Sequence, residues 1–243
     1  MDVDRRLEHL CERITLVKGV GSRRRGELCV MSFVALLAGE PHTDHPASAS
    51  PLIRNLAILV NDAMPEEARQ RLKPFAARIV GTNDGCDRDR VEVLRQSLAM
   101  EILPRIRRDM EAGLSAERCR APLEYLLAGI YGFAGSIGRD SEARIALLLT
   151  RLERGVPPGD EHVVGSAAGE VLARCMQEAA THGQRTWYWD EAISLLDRLC
   201  DIGVKPPRQA IRDDRIALAE GRIGGTLPAN TWLNSIRRLL PAA

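Results

Sequence analysis

Two histidines and three carboxylates gather around one bend of this chain. Glu40, His42, Asp44 and His45 lie in the run LAGEPHTDHP, and Asp62, beside Asn61, ends the next apolar stretch. Imidazole nitrogens and carboxylate oxygens are donors that a divalent metal takes at roughly 2.0–2.2 Å. Glu40, Asp44 and His45 are the metal candidates. Without a metal, Asp44 would orient His45 as a base near neutral pH, with Glu40 or Asp62 adding charge. Geometry limits this set. A helix from Pro46 to Asn61 is about 24 Å long at ~1.5 Å per residue, so Asp62 meets Asp44 only if the chain bends near Pro51.

The same residues have a structural reading, and it is the favoured one. Thr43 or Asp44 can cap the following helix, with Pro46 in its first turn. Glu40 can pair with an arginine, and His45 can donate to a backbone carbonyl. Asn61-Asp62 can cap a helix opening at Pro65.

Other segments carry weaker chemistry. Cys29 and His45 could pair as nucleophile and base, but Cys29 sits in a markedly apolar helix, where burial suppresses a thiol. Gly129–Gly138 is glycine-rich, yet it lacks the Gly-Lys-Ser/Thr ending of a phosphate loop and no strand precedes it. Close helix packing explains these glycines better. Arg23-Arg24-Arg25 and Arg105-Ile106-Arg107-Arg108 read as solvated helical faces, because no aromatics interleave them for base stacking. Trp187-Tyr188-Trp189 gathers two of the three tryptophans. It reads as a wedge between helices, or as a partner-binding anchor through Trp187 and Trp189.

These residues must be held by helices. Apolar residues recur at three-four spacing over Val3–Val17, from Ser22 to about Ala38, and from Pro46 or Pro51 to Asn61. Further helices are expected from Pro65 to Val80 and from Arg88 to Met110, the latter kinked at Pro104. More follow from Ser115, over Arg139–Arg154, Glu161–His182, Asp190–Ile202, Pro206–Glu220 and Ala229–Leu240. Strict alternation persists nowhere. The pattern predicts an all-α protein, an irregular bundle or short solenoid of about ten helices. Gly155-Val156-Pro157-Pro158-Gly159 is the best internal boundary, dividing residues 1–154, which carry the polar bend, from a helical lobe at 160–243 packed against them.

Composition narrows the class. The 243 residues are 45% hydrophobic and only 4% aromatic, so the core must be aliphatic. Thirty-four Lys+Arg against 33 Asp+Glu give a net charge of +1, which argues against a strongly electrostatic nucleic-acid binder. Cys11, Cys29, Cys86, Cys119, Cys175 and Cys200 are scattered without a CxxC pair. With no apolar leader and no membrane-length run, a reducing cytoplasm is the expected setting.

The pattern Cys29-Val30-Met31, Leu37-Ala38-Gly39-Glu40, Thr43-Asp44-His45-Pro46, Pro51 and Asn61-Asp62 resembles a family of uncharacterised all-helical proteins of high-GC bacteria, actinobacteria especially. Arg71-Leu72-Lys73-Pro74 and Arg78-Ile79-Val80-Gly81-Thr82 extend the resemblance over roughly the first hundred residues. It implies an all-α fold and a bacterial origin, and no activity. The family often has an aromatic where His42 stands, which leaves Glu40, Asp44 and His45 as the better ligands. With no recognised catalytic set, the expected function is a non-enzymatic helical protein-interaction module, such as an adaptor, immunity-like or accessory factor in a bacterial conflict or regulatory system. A protein partner is expected, with no cofactor. The alternative is a small enzyme or a metal- or ligand-binding domain built on the Glu40–His45 turn.

Overall fold

The computed structural model describes residues 3–131, 141–153, 155–156, 159, 161–203 and 213–223. Helices dominate, as the aliphatic three-four spacing requires. They are α1 (Val3–Arg13), α2 (Val30–Ala38), α3 (Pro51–Ala63), α4 (Glu66–Gln70), α5 (Lys73–Ile79), α6 (Asp87–Ser97), α7 (Leu103–Glu111), α8 (Ala116–Tyr131), α9 (Ser141–Leu152), α10 (Glu161–Glu178), α11 (His182–Cys200) and α12 (Asp213–Arg222). Among the described residues no helix is long and apolar enough to cross a membrane. The expected helix at 229–240, the boundary prolines Pro157-Pro158 and Gly132–Gly138 of the glycine-rich run lie outside the described residues.

The segment between α1 and α2 departs from expectation. The first helix stops at Arg13 instead of Val17, and no α-helix opens at Ser22. Three two-residue strands form instead: β1 (Thr15–Leu16), β2 (Gly21–Ser22) and β3 (Glu27–Leu28). β3 lies between β1, to which it is parallel, and β2, to which it is antiparallel. Gly21 faces Leu28 with φ 75°, and a Cβ there would sit 2.2 Å from the Glu27 carbonyl oxygen, so only glycine permits this approach. Arg23–Arg25 makes a single 3-10 turn, ended by Gly26 in the left-handed region. A helix from Ser22 to Ala38 is therefore interrupted before it starts.

The outer edge of β1 is closed by a side chain. Gln70 accepts from the Leu16 amide through Oε1 at 2.9 Å and donates to the Leu16 carbonyl through Nε2 at 2.9 Å. Its carboxamide takes the place of a neighbouring strand and blunts an edge that could recruit another chain.

Pro104 acts as its chemistry demands. It has no N–H for the carbonyl of Met100, and its ring crowds that carbonyl. The chain widens into a π-helical turn over Leu98–Ile102, directly before α7. The predicted kink is this turn. Likewise the expected helix over Pro65–Val80 splits into α4 and α5, with Pro74 in the first turn of α5.

One continuous buried cluster runs through the helices, with α10 packed along both α3 and α8. Close approach of α10 to α3 depends on Gly165 and Gly169. A Cβ on Gly165 would lie 2.6 Å from the Leu52 carbonyl oxygen, and one on Gly169 would lie 2.8 Å from Leu59 Cδ1. At the same crossing Asn55 Nδ2 donates to Ser166 Oγ at 2.9 Å.

A second junction is polar. Arg90 of α6 is fully buried. Its guanidinium donates to both oxygens of Asp84 at 2.7 and 2.8 Å, to Asp87 Oδ1 at 3.0 Å and to the Thr82 carbonyl at 2.8 Å. It also donates to the carbonyls of Leu199 at 3.3 Å and Ile202 at 2.8 Å, which close the C-terminal end of α11. Helix ends leave carbonyls without intrahelical partners, and Arg90 supplies them from inside the core.

Candidate functional site

The polar bend is built from backbone needs. Gly39 ends α2 in the left-handed region with φ 75°. The Glu40 carboxylate then reaches forward to accept from the amides of Ala47 at 2.6 Å and Ser48 at 2.9 Å. Among the described residues it pairs with no arginine. Arg23 Nη2 donates instead to the Glu40 carbonyl at 2.8 Å. Thr43 Oγ1 accepts from the His45 amide at 3.0 Å, and His42 Nε2 lies 3.3 Å from the Gly21 carbonyl oxygen. Neither Thr43 nor Asp44 caps a helix. Ser50 caps α3 by accepting from the Ile53 amide, with Pro51 in the first turn. A Ser-Pro start is the better cap signal, because proline's missing N–H is one the helix cannot use.

Asp44 and His45 do form a pair. Asp44 Oδ1 and His45 Nδ1 are 2.7 Å apart, which fixes the imidazole orientation as a general base requires. The imidazole is 59% exposed, so the pair works in water and not in a closed site. Cys29 lies near Asp44 but not as a nucleophile. It is the N-cap of α2, with Sγ bonded to the Ser32 amide at 3.2 Å and to Ser32 Oγ at 3.3 Å. Burial pushes its thiol pKa up, and the Asp44 charge adds to that rise, so the thiol stays protonated. Among the described residues no three His, Cys, Asp or Glu side chains converge as a metal-ligand set.

Asn61 and Asp62 serve a different purpose from the capping read in the sequence. Asn61 is fully buried. Its Oδ1 accepts from the Val30 amide at 3.2 Å, and its Nδ2 donates to the Val17 carbonyl at 2.9 Å and to Asp62 Oδ1 at 2.8 Å. Asp62 Oδ1 also accepts from the Gly19 amide at 3.1 Å. The pair ties α3 to the turn after β1 and to the start of α2. Arg69 completes the seam, donating to the carbonyls of Asn61 at 2.7 Å and Met64 at 2.6 Å at the end of α3. Asn61→Ala leaves the buried Val30 amide and the part-buried Val17 carbonyl without this partner. It is expected to lower unfolding free energy by about 2 kcal/mol, read by urea denaturation.

The two tryptophans separate. Trp187 is held between Tyr188, edge-on at 5.1 Å, and the Arg105 guanidinium 4.9 Å above its ring. Arg105 and the Tyr188 hydroxyl both donate to Asp109 Oδ2, at 2.9 and 2.8 Å. Trp187 is therefore engaged inside the fold. Trp189 points elsewhere and lines a cavity of about 700 Å³ with Thr15, Pro65, Glu67, Lys73 and His182. His182 meets the Trp189 ring edge-on at 6.0 Å.

No family model, curated protein or solved structure matches the chain.

Charged side chains line the cavity beside Trp189. Two arginines reach carboxylates of α11: Arg71 pairs with Asp190 at 2.8 Å, and Arg78 with Asp197 and Asp201. Among the described residues Glu66, Glu67 and Lys73, which line the cavity with Trp189, make no such pair. Sequence reasoning missed these three. Pro65-Glu66-Glu67 reads only as a good first helical turn, and nothing local ties it to Trp189 more than a hundred positions on.

Proposed function

We propose that the chain is a non-enzymatic, helical protein-interaction module that holds a segment of a partner protein in the cavity beside Trp189. One observation carries this reading: Trp189 lines one cavity together with Glu66, Glu67 and Lys73, charges without ion-pair partners among the described residues. An aromatic anchor inside a charged rim is the composition of an interaction hot spot, where water is excluded at the centre and the rim sets orientation. A bacterial, cytoplasmic adaptor or accessory factor is the setting that goes with it. The six free cysteines are compatible with a reducing compartment.

A photo-crosslinking residue at Glu67, introduced into the full chain in its host, tests this. The expected result is a discrete adduct with one partner, absent when the same residue replaces exposed Glu153 far along the chain. Equal labelling from both positions, or none from Glu67, contradicts the proposal.

The 2.7 Å Asp44–His45 contact supports a second reading, acid–base or metal chemistry at the turn. Metal analysis of native protein separates the two. Stoichiometric zinc, manganese or iron, lost in His45→Ala, would support chemistry at the turn. Metal-free protein with unchanged crosslinking in that variant would support the interaction module.

A further inference from the structure

The π-helical turn carries Glu101 to the side of α11. There Arg198 Nη1 donates to Glu101 Oε1 at 3.2 Å, and its Nη2 donates both to Glu101 Oε2 at 2.9 Å and to Glu191 Oε1 at 2.7 Å. One guanidinium thus serves two carboxyl groups from different elements. The Glu191 side chain is only 11% exposed, against 41% for Glu101. A single positive charge neutralises one carboxylate. A second anion, out of water and beside the first, is unfavourable unless it takes up a proton.

We propose that Glu101 and Glu191 share one proton and form a pH-responsive clasp that fastens the π-helical turn to α11. The charged groups that face Glu191 are Glu101 from that turn and Arg198, two helical turns further along α11. Burial, followed by the contact with Glu101, pushes the Glu191 carboxyl up to about 7, while the Arg198 bond holds Glu101 below the usual carboxylate range. The two titrate as a pair, and the value near 7 belongs to the pair's second proton.

The sign follows from where the proton resides. Unfolded, Glu191 ionises near 4.5; folded, near 7. Between those values the folded protein binds more protons than the unfolded chain, so its stability falls as pH rises. The contribution is complete below the unfolded value and is lost as pH passes through 7. Above that, two carboxylates compete for Arg198 and their repulsion opposes the contact between the π-helical turn and α11.

Urea denaturation of wild type, Glu191→Gln and Glu101→Gln between about pH 5.5 and about pH 8 tests the clasp. From this pair the wild-type unfolding constant rises roughly ten- to thirtyfold across the range. Glu191→Gln is expected to remove that rise. Glu101→Gln should make it smaller without abolishing it, because Glu191 keeps its burial but then faces Arg198 alone and ionises at lower pH. Wild type and both variants changing in parallel would overturn the proposal. If Glu191→Gln does not fold, a carboxyl-carbon titration of wild type labelled at glutamate decides. A resonance with its midpoint near 7, shifted down in Glu101→Gln, supports the clasp; its absence overturns it.

Discussion

Replacing Arg90 by methionine is expected to lower the unfolding free energy by about 3–5 kcal/mol, the usual cost of removing one partner from a buried ion pair. Methionine fills similar volume, so the loss is electrostatic and not a cavity effect. Asp84 is 15% exposed and Asp87 23%, and both lose the cation that lies between them. The Thr82, Leu199 and Ile202 carbonyls lose their donor at the same moment. The Arg90 hydrogen bond holds the Asp84 carboxyl below the usual carboxylate range. In wild type that contribution is present above the unfolded pKa and is lost as pH falls through the folded one. Arg90→Met should therefore also flatten the acid limb of the stability profile. Chemical denaturation over that range reads both effects.

Gly165→Leu should be nearly as damaging, at about 3 kcal/mol or more, because the α10–α3 crossing has no room for a side chain. The first carbon alone would stand 2.6 Å from the Leu52 carbonyl oxygen and 3.1 Å from the Leu52 Cα. Backbone, unlike the end of a flexible side chain, cannot swing aside. Gly183 in α11 is the control. Nothing lies within 4 Å of a Cβ there, so Gly183→Ala should stabilise by up to about 1 kcal/mol through helix propensity. Thermal melts of the two variants are expected to move in opposite directions.

The helical class was legible because helices repeat. Leu52, Leu56 and Val60 announce the buried face of α3 by spacing alone, and all three are fully buried. The small sheet was not legible, because two-residue strands carry no periodicity. Gly21 and Gly26 were the available signals, and they point to turns without naming a partner strand. The polar bend was found correctly as a bend, but its wiring was not. Glu40 accepts from amides seven and eight positions ahead, beyond the three-residue spacing of a capping box. Asn61 bonds to Val30, 31 positions back, a pairing that only the tertiary fold creates. The Glu101–Glu191 pair had a partial signal. Pro104 foretold a disturbed helix just before it, but nothing in the sequence places α11 against that turn.

Trp187 and Trp189 illustrate the same limit. Positions two apart on a helix point about 200° from one another, so the two rings cannot share one surface. One is clamped by Arg105 and Tyr188 and the other lines the cavity. A sequence scan that scores the cluster as a unit misses the division.

Capture of the proposed partner by variants of the chain, quantified in the host by crosslinking from one fixed surface position, tests the interaction reading most directly. Glu67→Lys reverses an exposed rim charge at little cost to stability, and His45→Ala removes the imidazole of the bend. Capture reduced at least about tenfold by Glu67→Lys and by Trp189→Ala, and unchanged by His45→Ala, is the predicted pattern. Capture that survives both cavity changes and is lost with His45 would contradict it.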